Sequence, residues 1–139
     1  MAQKQRVLIL CTHNSARSQM AEGLLRSLAG DRFEVQSAGT EQTNVRPEAV
    51  EALRKRGIDI SSQSSKTLDA FVHQPWDYVI TVCDRANESC PVFPGAAHRL
   101  HWSFDDPSAV HGPDRQAAFD ASAEALERRL RLWLEELGP

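Results

Sequence analysis

The stretch Arg6-Val7-Leu8-Ile9-Leu10-Cys11-Thr12-His13-Asn14-Ser15-Ala16-Arg17-Ser18 decides the fold. Residues 6–10 form a compact apolar run with β-branched members, which fits a strand buried on both faces, as in a parallel sheet. The middle of the stretch carries only small or polar side chains. From Ser18 onward the apolar positions become Met20, Leu24, Leu25 and Leu28, the spacing of an amphipathic helix, and Gly30 is a natural stop. The pattern predicts strand, tight loop, helix.

Working outward, Phe33-Glu34-Val35-Gln36-Ser37 reads as a second strand running into the turn Ala38-Gly39-Thr40. Pro47 opens a helix carrying Val50 and Leu53 toward Gly57. Asp77 to Val82 reads as a third buried strand that delivers Cys83 at its carboxyl end, and His98 to Trp102 as a weaker fourth. Phe119, Ala123, Leu126, Leu130, Trp133, Leu134 and Leu137 line one face of a final helix. Ser61 to Thr67 and Cys90 to Ala96 read as surface loops. Strands alternating with helices predict one α/β domain over residues 1–139, with helices on both faces of a parallel sheet. Such folds bind ligands at the carboxyl ends of strands, where Cys11 and Cys83 fall.

Composition narrows the function classes. With 41% hydrophobic and 25% charged residues in 139, the chain has the make-up of an ordinary globular domain, and no apolar stretch is long enough to span a bilayer. A net charge of −3 with scattered basic residues offers no footprint for nucleic acid or an anionic membrane. The N-terminus does not read as a signal peptide, so the expected location is the cytoplasm. The three cysteines are then expected as thiols rather than structural bridges.

Cys11 to Ser18 suits a tetrahedral oxyanion. A tight loop opening a helix turns backbone N–H groups inward and adds the positive end of the helix dipole. Thr12, His13, Asn14, Ser15 and Ala16 would supply those amides, and Arg17 a planar fork for two anion oxygens. The same donors predict a Cys11 thiol held below its free pKa of about 8.5, with the Ser18 hydroxyl donating to its sulfur. A cysteine at a strand end is also commonly just a small buried hydrophobe. The placement between strand and helix favours the chemical reading.

The segment Cys11-Thr-His-Asn-Ser-Ala-Arg-Ser-Gln-Met-Ala-Glu-Gly23 resembles the signature of the arsenate reductases built on the low-molecular-weight protein tyrosine phosphatase fold. Ser37-Ala38-Gly39-Thr40, Gly57-Ile58-Asp59-Ile60-Ser61, Val82-Cys83 to Cys90-Pro91, and His101-Trp102-Ser103-Phe104-Asp105-Asp106-Pro107 are similar too, in order along the chain. The resemblance implies a single-domain three-layer fold of the phosphotyrosine phosphatase I type, its four-stranded parallel sheet in the order 2-1-3-4. It implies Asp106 as general acid, although a bare Asp-Pro is more often a turn or capping aspartate. It also implies that Cys11 attacks arsenate, that Cys83 resolves the adduct, and that Cys90 moves the disulfide outward for thioredoxin to reduce. A turn or two of helix over Asp84 to Ser89 would have to open when Cys83 and Cys90 join. Phosphate or sulfate would compete with arsenate, no cofactor is expected to be bound, and the chain is expected to be a monomer.

Some relatives bind potassium beside the loop, through residues whose counterparts are Asn14, Glu22, Ser37 and a carboxylate between Ser61 and Asp69. Lys66 stands in that region, so its ammonium is expected to replace the ion and pair with Glu22. Ser108 and Ala109 follow Pro107 where tyrosine phosphatases carry aromatics. The main alternative is a phosphatase of phosphate monoesters, and another is an oxyanion-binding protein or redox sensor. The five histidines have no metal-ligand spacing.

Overall fold

The structure, a computed structural model, describes residues 4–83 and 94–138. The opening stretch forms β1 (Gln5–Cys11) and, after the loop, α1 (Arg17–Ala29). β2 (Phe33–Gly39), α2 (Pro47–Arg54), β3 (Trp76–Thr81), β4 (Ala96–His101) and α3 (Arg115–Leu137) follow. The four strands make one parallel sheet in the order β2-β1-β3-β4, as expected.

β1 is a central strand, which is why it is apolar on both faces. Val7 and Ile9 join a core with Met20, Leu24 and Leu25 of α1, Leu53 of α2, and Phe119, Leu126, Leu130 and Trp133 of α3. Leu8 and Leu10 face the other way, onto Leu68, Trp76 and Val79. Each such side chain contributes about 1.5–3 kcal/mol on burial. Among the described residues the three α-helices all pack on the first face, and the second is covered by a 3-10 turn, Leu68–Ala70, with Phe71 and Val72.

Two expectations need correction. β4 begins at Ala96, earlier than the sequence suggested, because this edge strand is largely exposed and leaves no apolar signature. Ser61 to Thr67 is not simply a surface loop: Ser65 is buried, Gly39 N–H donates to Lys66 O at 2.8 Å, and Thr67 bridges Gly39. Most of Cys90 to Ala96, the proposed Asp84 to Ser89 helix and Cys90 itself lie outside the described residues.

The register fixes the site. Leu10 pairs with Thr81 of β3, Val82 N–H donates to Leu10 O at 2.9 Å, and Cys11 pairs with Gly39 of β2. Cys11 and Cys83 therefore leave neighbouring strands at the same carboxyl end of the sheet. Gly39 is required there: a Cβ would lie 2.6 Å from Thr12 O and 2.9 Å from both Asn14 N and Cys11 O.

Candidate active site

The carbonyls of the loop all point outward, each to its own donor. Thr12 O accepts from Glu41 N–H at 3.0 Å, His13 O from the Thr43 hydroxyl at 2.7 Å, and Asn14 O from Gln19 Nε2 at 3.0 Å. Ser15 O accepts from Arg46 N–H and Ala16 O from Met20 N–H, both at 2.9 Å. In a trans peptide the carbonyl and the next N–H point in opposite directions, so these outward carbonyls turn the N–H groups of residues 13–17 toward the loop's interior. Four of the five amides expected to line the loop, those of residues 13–16, are among them, and the Arg17 N–H joins them.

Asn14 sets the loop's shape. It is fully buried and left-handed, with φ of 49°, a conformation asparagine tolerates better than most residues. Its Oδ1 accepts from Gln19 Nε2 at 2.9 Å and Lys66 N–H at 2.8 Å, and its Nδ2 donates to Ser18 Oγ at 2.8 Å and Ser37 Oγ at 2.9 Å. Ser37 in turn donates to Glu22 Oε1 at 2.6 Å. Because Ser18 Oγ accepts from Asn14, its own proton is left to point elsewhere, consistent with a donor role in the loop.

Glu22 is buried, and its cationic partner is Arg26, with Nη2 at 2.7 Å, not Lys66. The Lys66 ammonium instead donates to Ser64 O at 3.1 Å in an exposed position. The expected Lys66–Glu22 pair is thus replaced by one that a helix makes more readily, since residues 22 and 26 are neighbours on the same face of α1. His13 turns outward to Glu41, 3.1 Å away, leaving its main chain to the loop.

Arg17 Nη1 donates to Phe104 O at 2.9 Å, and its Nη2 lies 3.7 Å from Asp106 Oδ2. Its Nε is buried with no partner among the described residues. Asp106 Oδ1 accepts from Ser108 N–H at 2.9 Å, so this aspartate does cap a turn, yet its second oxygen faces the guanidinium. The capping reading of Asp-Pro thus holds, with the second carboxylate oxygen left beside Arg17.

Cys11 and Cys83 are 4% and 3% exposed, both free thiols, and the Thr12 hydroxyl lies 3.3 Å from Cys83 Sγ. The expectation of a lowered Cys11 pKa is reversed in this arrangement. The hydrogen-bonded Cys83 sulfur, and then burial, push the Cys11 thiol well up, against the pull of the Arg17 guanidinium and the Thr12 N–H. Two adjacent buried thiols titrate as a pair, and the last proton is held because losing it would set two thiolates in contact. Nothing in the spacing of Cys11 and Arg17 signals this neighbouring thiol.

Among the described residues no group of three His, Cys, Asp or Glu side chains is placed to hold a metal, and no helix is long and apolar enough to cross a membrane. The sequence reading missed Gln19, Gln63 and Arg26 around the loop, and Arg115 beyond it. Gln19 and Gln63 bind each other at 2.7 Å across 44 positions, a pairing that leaves no local signal.

Comparison with known proteins agrees with this fold. The family described as low molecular weight phosphotyrosine protein phosphatase matches residues 6–139. An arsenate reductase of Halalkalibacterium halodurans is 42% identical over 134 residues, covering 95% of this chain and 96% of the relative. The solved structure of an arsenate reductase in the phosphate binding state superposes with a TM-score of 0.80 at 29% identity, covering 95% of this chain and 98% of the other. A thioredoxin-dependent arsenate reductase of Corynebacterium glutamicum superposes with a TM-score of 0.65 at 30% identity, over 96% of this chain and 65% of the other. With its sheet order and these relatives in agreement, the chain belongs to the low molecular weight phosphotyrosine protein phosphatase family, alongside that family's arsenate reductases.

Proposed function

We propose that this protein reduces arsenate to arsenite, with Cys11 as nucleophile and Cys83 and Cys90 as the thiols that complete the electron transfer. The observation that carries the proposal is the Cys83 thiol held against Cys11 inside the buried site. Hydrolysis of a phosphate ester would use Cys11, Arg17 and Asp106 and give this second thiol no task.

Arsenate enters the cradle of N–H groups from residues 13–17, and Arg17 holds two of its oxygens. With the pair's last proton resting on Cys83, the Cys11 thiolate attacks arsenic, and Asp106 protonates the departing oxygen, which leaves as water; acid catalysis of this kind is worth about 10²–10⁴-fold. Cys83 passes its proton to an oxygen of the arsenic adduct, and the thiolate so formed attacks the Cys11 sulfur. The sulfur–arsenic bond breaks, its electron pair goes to arsenic, and arsenite leaves a Cys11–Cys83 disulfide. Cys90 attacks Cys83 by thiol–disulfide exchange and frees Cys11. The resulting Cys83–Cys90 disulfide is reduced by thioredoxin, the reductant of the C. glutamicum neighbour.

The Arg26–Glu22 pair supplies the positive charge that a bound cation would otherwise bring to this end of the Asn14–Ser37 chain. Turnover is therefore independent of potassium; a several-fold rise on replacing sodium with potassium would refute that part.

The test is Cys83→Ser. Arsenate turnover with thioredoxin should vanish, while slow hydrolysis of a small aryl phosphate, which uses only Cys11, Arg17 and Asp106, persists. Equal loss or equal retention of the two activities rejects the relay.

A further inference from the structure

The loop carrying Asp106 is tied down on both sides, by two different arginines. Upstream, Arg17 Nη1 donates to Phe104 O at 2.9 Å. Downstream, Arg115 Nη1 donates to Ser108 O at 2.8 Å and to Val110 O at 3.0 Å. The Nε of Arg115 donates to Glu48 Oε2 on α2 at 2.8 Å, and its guanidinium carbon lies 5.3 Å from the ring centre of the buried Phe119. No step of the proposed chemistry has used Arg115 or Glu48. A surface arginine ordinarily keeps its donors in water; this one joins the acid loop, α2 and α3 through a single planar group.

Asp106 needs such support. Its side chain is 38% exposed, and one carboxylate oxygen is already taken by Ser108 N–H. The other oxygen faces Arg17 only while the backbone of residues 104–110 holds its course. Pro107 restricts that backbone on one side, and the carbonyls bound by Arg115 restrict it on the other. A displacement of about 1 Å at a reacting group can cost about 10²-fold in rate.

We infer that Arg115, anchored by Glu48, is a positioning residue that aims the Asp106 carboxylate at the oxyanion held by Arg17. The inference rests on Asp106 being the general acid, and the experiment separates the two. In a double-mutant cycle, Arg115→Met keeps the apolar stem beside Phe119 and removes the fork. Arsenate kcat/KM should fall about 10–100-fold, within the range of the acid itself, while protection of Cys11 from alkylation by inorganic phosphate stays nearly unchanged. In an Asp106→Asn background the same change should cost less than about threefold, because the group it aims is gone. Glu48→Gln, which leaves the carbonyl contacts in place, should repeat the pattern more weakly and serves if Arg115→Met does not fold. Equal losses in both backgrounds, or no loss in the parent, overturn the positioning role. Asp106→Asn without effect on the parent overturns the general-acid reading and this inference with it.

Discussion

Asn14 concentrates more of the loop's geometry than any residue that touches the reaction. It places two donors and two accepted bonds around a left-handed backbone, all of it buried. Asn14→Ala would orphan several buried partners and keep the strained φ, so we expect a loss of about 3 kcal/mol, built from about 1–3 for unmade hydrogen bonds and about 1 for the left-handed backbone. Urea unfolding measures it. Cys11 and Cys83 give a second prediction: because the Cys83 sulfur is the leading cause of the raised Cys11 pKa, Cys83→Ala should bring the midpoint of Cys11 alkylation down in pH. An unchanged midpoint would mean that burial alone holds the proton. At this scale the motif from Cys11 to Ser18 was legible because cradle, guanidinium and helix start are contiguous. The Cys83 effect was not, since it arises from strand pairing between residues 72 apart in sequence.

At the scale of elements, the ends of β1, β2 and β3 converge on one loop, and the tightest approach is at Gly39. A methyl group there would push against Thr12 O, Asn14 N and Cys11 O, all backbone, which cannot rotate away. Gly39→Ala should therefore weaken phosphate protection of Cys11 at least tenfold while the core helices keep their circular dichroism. Unaltered protection would show that the loop has room to yield. β1, α1, β3 and α3 were readable because their apolar periodicity follows from burial on one face or two. β4 was readable only in part, since an edge strand that is mostly exposed carries no such period. The covering of the second sheet face by a 3-10 turn at Leu68–Ala70 likewise leaves too short a pattern to detect.

Across the whole molecule, charged contacts add to the core in joining the helices to one another and to the acid loop. Arg115 pairs with Glu48 across 67 positions and Arg56 with Glu127 across 71, contacts that composition registers only as ordinary surface charge. Arg115 holds the Glu48 carboxyl below its usual pKa. A lowered folded-state pKa contributes stability that is present above the unfolded value of about 4.3 and is lost as pH falls through the lower folded value. Glu48→Gln should thus destabilise the protein at pH 7, and the gap from the parent should close below about pH 4. A gap independent of pH, measured by urea unfolding at both ends, would show that the carboxylate charge contributes nothing. The account as a whole depends on two electrons passing from Cys11 and Cys83 to arsenic. Cys90→Ser stops the relay after that transfer, so one equivalent of arsenate without added reductant should give one equivalent of arsenite and, by mass spectrometry of proteolytic fragments, a disulfide joining Cys11 to Cys83. Arsenate left unreduced with both thiols free, or arsenite formed without that disulfide, would contradict it.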